Sequence, residues 1–468
     1  MDQREQALAK LESDEKNKQL WGLKLLGYPV WPLLRMKAYH QKLYDKKIVR
    51  TSGPEAPLSM RLANVTTIIA NDLRQKFSFD RDAFSDGDVW VMTTTNYLRR
   101  TATGSTQCMF AGDLLSELGE KVRFVERTTN GVSVSSNPQV VRIDLLHLTS
   151  ILAGRVVGSI RARFNGSTSE AEVAGLPYWQ AYQMALYGKI VESVASRWVD
   201  RYQPQAAFVV CGFDAFVAFQ RVLRRKGVPL IEFQHGFFNN ASAGYVFSEE
   251  ARNDYVPEHM IVFGRYFGEH LERQNAWWKG KWSVGGHPWI KRAVAGLSEQ
   301  EKSNTIAFFS QPDSTVREQI RRLLQHMSQN DALKDWQLVL KPHPRENDAE
   351  KYWGLLRSDR LSVASNTDDS YALLRRSRAA VSVYSTLAAE ALAFQCKSIV
   401  LESDFRNYEI QDLINRGYVY EAKSIEDIET IVRRPTDINA FEHLATWLFG
   451  IGEKELNYSQ LITSLRSQ

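Results

Sequence analysis

Cysteine is scarce in this 468-residue chain: Cys108, Cys211 and Cys396 stand far apart, and no CxxC pair exists. That spacing excludes a zinc ribbon or a dithiol redox motif, and the sparse, odd count fits a reducing compartment. Long apolar runs are missing too. No stretch approaches about 18 uninterrupted apolar residues, so no transmembrane helix is expected. The opening segment MDQREQALAKLESDEKNKQ lacks the apolar core of a signal peptide, and a cytoplasmic location is expected. A strong excess of one charge is also absent. The 59 Lys and Arg against 54 Asp and Glu leave a formal +5, which makes no case for nucleic acid and suits anionic small molecules. No DxD-like carboxylate pair follows a predicted strand, so neither a metal nor another cofactor is expected.

What is present reads as a folded α/β protein. Hydrophobic residues make up 44% and charged residues 24%, which is ordinary for globular chains. The length predicts two to four domains. Residues 1–54 form a basic, aromatic block in which Trp21 and Trp31 sit among lysines, with Pro29 and Pro32 breaking it in two. Such a segment suits a helix lying on an anionic membrane face; the plainer expectation is that its apolar side packs on the main body. From about residue 86 short apolar runs alternate with helical patterns. DVWVMT (88–93), KVRFVE (121–126), AAFVVC (206–211), PLIEF (229–233) and HMIVF (259–263) form one series. TIAFFS (305–310), WQLVL (336–340), AAVSV (379–383) and KSIVL (397–401) form another. Strand, helix, strand is the unit of a parallel sheet. The expected fold is α/β of the GT-B type: two Rossmann-like doubly wound domains facing a cleft, with an N-terminal helical extension. The boundaries are 55–290 and 291–435, with C-terminal helices over 436–468. A helix is predicted over 107–118, and an insertion or helical hairpin over 155–200, with a helix from Tyr178 to Trp198.

Three polar clusters close predicted strands, where this architecture binds ligands. Lys341-Pro342-His343-Pro344-Arg345 is a turn made rigid by two prolines, with an imidazole flanked by cations suited to phosphate. Tyr384-Ser385-Thr386 opens a helix; its free N–H groups and hydroxyls suit phosphate, and Ser385 is equally a helix cap. Glu390, one turn on, is placed to meet a diol. Gln234-His235-Gly236 supplies a candidate base, with Asp214, after Cys211, as a second. Gln311 and Asp313 follow the first strand of the second series. Asn96, Arg99 and Arg100 form a polar loop expected to meet an acceptor, and Gly285-Gly286-His287-Pro288 is the expected hinge.

These residues together resemble the GT-B transferases of bacterial surface-polysaccharide synthesis, above all the capsule-type Kdo and sialic acid transferases that use CMP-sugars. His343-Pro344 and Ser385-Thr386 match the elements that hold the donor nucleotide in that group. Teichoic-acid-type polyol-phosphate transferases share the KPHP layout, and UDP-GlcNAc 2-epimerases share a pair like Ser385 and Glu390. The resemblance spans about residues 85–425 and departs at the sialyltransferase acidic motif, for which Asp214 and Asp254 are the available substitutes. It implies metal-independent transfer of a sugar to a glycan or lipid-linked glycan, capsule or lipopolysaccharide in type, with peripheral membrane contact as a further expectation. Donor binding falls to Lys341, His343, Pro344, Arg345, Ser385, Thr386, Glu390 and Gln311, and base catalysis to His235 or Asp214.

Overall fold

The computed structural model describes residues 3–44, 84–100, 106–128, 140–144, 146–153, 156, 172–213, 216–239, 242–247, 254–297, 302–356, 358–403 and 410–467. Two all-parallel sheets organise them. The first contains β1 (Val89–Thr94), β2 (Val122–Arg127), β3 (Val140–Arg142), β4 (Ala206–Val210), β5 (Leu230–Phe233), β6 (His259–Val262) and β7 (Trp282–Val284), ordered β7-β6-β5-β4-β1-β2-β3. The second contains β8 (Ser303–Phe309), β9 (Gln337–Lys341), β10 (Leu361–Val363), β11 (Ser377–Ser382), β12 (Lys397–Leu401) and β13 (Tyr420–Ala422), ordered β10-β9-β8-β11-β12-β13. Counted from its own first strand, each sheet runs 3-2-1-4-5-6, and the first adds a seventh strand. This is the Rossmann order, which leaves a crevice where the winding reverses, between strands 1 and 4. The chain is thus a two-domain, GT-B-like α/β protein. Its strands were recognisable because helices cover both faces of a parallel sheet, so the strands become apolar runs; all residues of β4 and β5 are buried.

The N-terminal block forms two helices, α1 (Gln3–Asn17) and α2 (Trp31–Tyr44). Pro32 falls in the first turn of α2, where its missing N–H costs nothing. Trp21, Trp31 and Leu34 are buried in a core shared with the long helix Tyr178–Tyr202. The tryptophans therefore do not form the exposed apolar face that the membrane reading requires; the packing expectation holds. The two helices are locked by a buried ion pair. Arg35 Nε stands 2.6 Å from Glu15 Oε1, which also accepts from Trp31 Nε1 at 2.8 Å. Arg35 then reaches out of the block and donates to the carbonyls of Ala243 and Val246.

One other expectation is corrected. Thr106–Cys108 is a strand paired antiparallel with Leu98–Arg100, and the helix begins only at Gly112. Met109 N completes that hairpin by donating to Tyr97 O, so the segment's N–H groups are spent across strands. Over 155–200 the expected helix from Tyr178 to Trp198 is present as Tyr178–Tyr202, and most of the segment before residue 172 lies outside the described residues. A β-hairpin turns at Ala174-Gly175, both with positive φ, and runs straight into the helix Tyr178–Tyr202.

The chain's last helices tie the halves together. Ile438–Phe449 packs on both Leu387–Ala393 and Arg265–Gln274. A Cβ on Gly264 would lie 2.3 Å from the Trp447 carbonyl oxygen, so only glycine permits this approach. Tyr458–Arg466 returns to the first domain, where Glu117 accepts from the N–H groups of Tyr458 and Ser459 at 2.9 and 2.8 Å. The expected hinge lies at this seam: His287 N donates to Phe449 O. Among the described residues no helix is long and apolar enough to cross a membrane.

Candidate functional site

In the second sheet, register places Phe309 beside Lys341, Leu340 beside Val363 and Phe308 beside Val381. The turns after β10, β9, β8 and β11 therefore end level along one edge. They are Ala364–Asn366, Pro342–Glu346, Ser310–Asp313 and Val383–Thr386. The reversal of winding lies between β8 and β11, so Gln311 and Ser385-Thr386 flank the crevice. His343 is one strand further, about 5 Å away in spacing, and Asn366 two. The hydroxyl of Ser382, the last residue of β11, is buried with no hydrogen-bond partner. An unmatched buried polar atom at such an edge is uncommon.

Each predicted donor residue takes a definite place. Lys341 is corrected: its buried ammonium donates to the carbonyls of Pro342 and Asn366, at 3.0 and 2.9 Å. It latches the β9 turn to the β10 loop rather than offering charge to a ligand, and burial holds its pKa below the usual lysine value. His343 is half-buried and its Nδ1 accepts from the Arg345 backbone N–H at 3.1 Å. Burial, aided by Arg345, lowers its pKa, so the ring is held neutral with Nε2 unused by that bond. Pro344 and Arg345 are exposed. Glu346, which sequence reasoning passed over, braces the turn. Buried to 3% exposure, it accepts from His343 N and Trp353 Nε1, both at 2.8 Å, and faces Arg317 at 3.1 Å. A carboxylate three residues after the histidine was the available signal.

Across the crevice, Ser385 Oγ accepts from Leu387 N at 3.2 Å, one residue ahead of the N-cap Thr386 of the helix Leu387–Ala393, whose own side chain makes no capping bond. That helix has only seven residues, so its macrodipole adds little and any anion would rely on local N–H and hydroxyl groups. Thr386 Oγ1 donates to Glu390 Oε1 at 3.3 Å, and Tyr371 hydroxyl to Glu390 Oε2 at 2.8 Å. Asp313 is a turn residue after all: it caps Ser314–Gln329 through Thr315 N and Val316 N. Beside the β9 turn lies a cavity of about 320 Å³, lined by Pro342, Glu346, Ser365 and Asn366 among others.

In the first sheet the reversal lies between β1 and β4. Gly212 and Phe213 follow β4, Thr95–Tyr97 follow β1, and His235 follows β5 on the neighbouring strand. Tyr97, rather than the exposed Asn96, meets the histidine, edge-on with ring centroids 5.5 Å apart. Arg99 and Arg100 lie in the β-ladder with Thr106–Cys108 by their backbones; their side chains, like Asp214, fall outside the described residues. Asp254 stands 3.2 Å from Arg221, which also holds Glu192 at 2.7 Å.

His235 belongs to a buried chain of polar groups. Tyr245 hydroxyl lies 3.1 Å from His235 Nδ1 and 3.1 Å from Glu232 Oε1. Glu232 also accepts from Gly212 N at 3.0 Å, and a Cβ on Gly212 would lie 2.6 Å from its Oε2. Cys211, just before, has φ +66°, the kind of local strain that ordinary residues rarely adopt. One proton order satisfies every group: Nδ1–H donates to the tyrosine oxygen, the tyrosine O–H donates to Glu232, and Nε2 keeps a lone pair. Burial lowers the His235 pKa to about 4 and raises that of Glu232 to about 7. Glu232 was absent from the sequence reading, although a carboxylate inside the buried run PLIEF was its signal.

The pH response follows. The imidazole is uncharged throughout the neutral range, while the carboxylate that accepts through Tyr245 ionises near pH 7. Any turnover that uses His235 as its base should rise with pH through about 7, and Glu232→Gln should abolish that limb, as a pH–rate profile checks. Stability runs the other way. Glu232 binds its proton more tightly folded than unfolded, so its contribution is full below the ordinary carboxylate pKa and is lost as pH rises through about 7. A profile identical in the variant would remove Glu232 from the relay.

Among the described residues no group of three or more His, Cys, Asp or Glu side chains is placed to hold a metal ion. No protein-family model matches the chain, and no curated protein sequence matches it. Solved structures do align with it. A UDP-GlcNAc 2-epimerase from Neisseria meningitidis bound to UDP-GlcNAc is 12% identical, with TM-score 0.47 over 81% of this chain and 99% of that one. A UDP-GlcNAc 2-epimerase from Methanocaldococcus jannaschii is 8% identical, with TM-score 0.46 over 75% and 94%. The MurG protein of Acinetobacter baumannii is 9% identical, with TM-score 0.46 over 81% and 100%.

Proposed function

We propose that the chain is a metal-independent glycosyltransferase that moves a sugar from a nucleotide-activated donor to a hydroxyl of a surface-glycan acceptor. The observation that carries the reading is the level row of turns at the second sheet's edge, centred on the winding reversal. Gln311, Ser385 and Thr386 flank the crevice, and His343 and Asn366 continue the row. Three strand spacings, about 14 Å, suit an extended nucleotide, with phosphate at Ser385-Thr386 and His343 and the base at the cavity beside Asn366. Charge grows on the leaving phosphate in the transition state, so fixed N–H and hydroxyl donors there lower the barrier. His235 Nε2 takes the acceptor's proton, and the tyrosine–glutamate chain spreads the resulting charge. CMP-sugars such as CMP-Kdo or CMP-sialic acid are the favoured donors, with UDP-sugars next. A UDP-sugar 2-epimerase is the second reading, favoured by the Ser385 and Glu390 pair; product formed without any acceptor would identify it.

The test is a thermal-shift titration of the full chain with CMP, CDP, UDP and GDP. One nucleotide should raise Tm; at a concentration of 100 Kd the gain is about 2.7 kcal/mol. His343→Ala and Ser385→Ala should each weaken that nucleotide about tenfold, or about 1.4 kcal/mol, with folding kept. Wild-type affinity in both variants, or no stabilisation by any nucleotide, overturns the donor site.

A further inference from the structure

The N-terminal helices do more than pack. A cavity of about 200 Å³ lies between α2 and the segment after β5. Met36, Tyr39 and Leu43 wall one side; Phe213, Phe238 and His235 wall the other. His40 and Ser242 add polar atoms to the same lining. The space opens beside the imidazole whose Nδ1 is turned to Tyr245, and His235 and Tyr245 both line it. Its volume is below the roughly 300–1,000 Å³ usual for drug-sized ligands, which limits the occupant to about a single ring. The lining mixes aromatic and aliphatic faces with two histidines, the hydroxyl of Ser242 and the guanidinium-bearing Arg4. A purely hydrocarbon ring would leave those polar groups unmatched. A ring with an apolar C–H face and hydroxyls around its edge matches both.

We infer that this cavity receives the glycosyl ring carrying the reacting hydroxyl, and that α2 is the wall that selects it. The inference rests on the reading of His235 as the base for an acceptor. On this view the extension is part of the acceptor site, and Leu43 and His40 govern which ring enters.

Saturation-transfer NMR tests this with the full chain and four probes: the methyl β-glycosides of glucose, galactose and N-acetylglucosamine, and phenol. At least one glycoside should give a signal that Leu43→Trp reduces fivefold or more. His40→Trp, at an exposed position where folding is undisturbed, should do the same. Nucleotide-induced thermal shifts should be equal in wild type and both variants. Equal glycoside signals in wild type and variants overturn the inference, as does a signal from phenol alone or from no probe. Blocking by either variant supports it whether or not a nucleotide stabilises the chain, so failure of the donor reading is scored separately.

Discussion

Replacing His235 by alanine should lower kcat by about 10²–10⁴-fold, the usual worth of a positioned general base, while the nucleotide-induced thermal shift stays at its wild-type value. The two readouts separate because the histidine follows β5 of the first sheet, whereas the proposed nucleotide edge belongs to the second. Tyr245→Phe should fall between: the imidazole stays, but Nδ1 loses the hydroxyl that passes charge to Glu232. Steady-state kinetics on the donor that the thermal shifts identify, with and without acceptor, makes the measurement. A kcat within threefold of wild type for His235→Ala would move the base elsewhere, with Asp214 the next residue to test.

The largest loss of stability is expected from Arg35→Ala, about 3–5 kcal/mol by urea titration. Glu15 is fully buried and Arg35 is 6% exposed, so deleting the cation strands a carboxylate where water cannot reach it. Two carbonyls, of Ala243 and Val246, lose their donor at the same time. An exposed pair such as Arg322 and Glu318 gives the contrast: its removal should leave the urea midpoint nearly unchanged, because solvent screens the charges. Arg35→Met with Glu15→Leu should recover much of the loss, because removing both charges removes the desolvation cost as well. A double-mutant cycle reads that coupling directly. A cost near that of the exposed pair would mean that the extension is not held by this ion pair. Any damage should also reach catalysis, since the loop that Arg35 grips carries Tyr245.

How much of this was legible beforehand depends on what kind of signal each residue gives. Strands announced themselves through apolar runs, and turns through Pro, Gly, Ser and Thr, so the sheet edges could be placed without coordinates. His235, His343, Ser385 and Gln311 stand out in the sequence as candidates because they close those runs. Lys341 was misjudged because sequence gives a long side chain's position but not its direction; here it folds back onto two carbonyls. Glu232 and Glu346 give a weaker signal than residues that close a strand, because one sits inside a strand and the other behind a turn. Thr106–Cys108 was read as helix because antiparallel pairing with Leu98–Arg100 is a contact between separate segments, which local periodicity does not record. The tryptophans of the extension suited two surfaces equally, a membrane and a protein core. Only the packing partners, on the helix Tyr178–Tyr202, distinguish them.

The final helices of the chain lodge against the opposite half, at Gly264 and Glu117. Sequence order and spatial membership therefore disagree for the last thirty or so residues. A polypeptide nicked between Leu297 and Lys302 would leave a second fragment that still carries its own docking arm. Co-expressed as two pieces, the halves should find each other and copurify without a covalent link. Fragments ending at Arg434 would lose that arm, and with it the grip that reunites them.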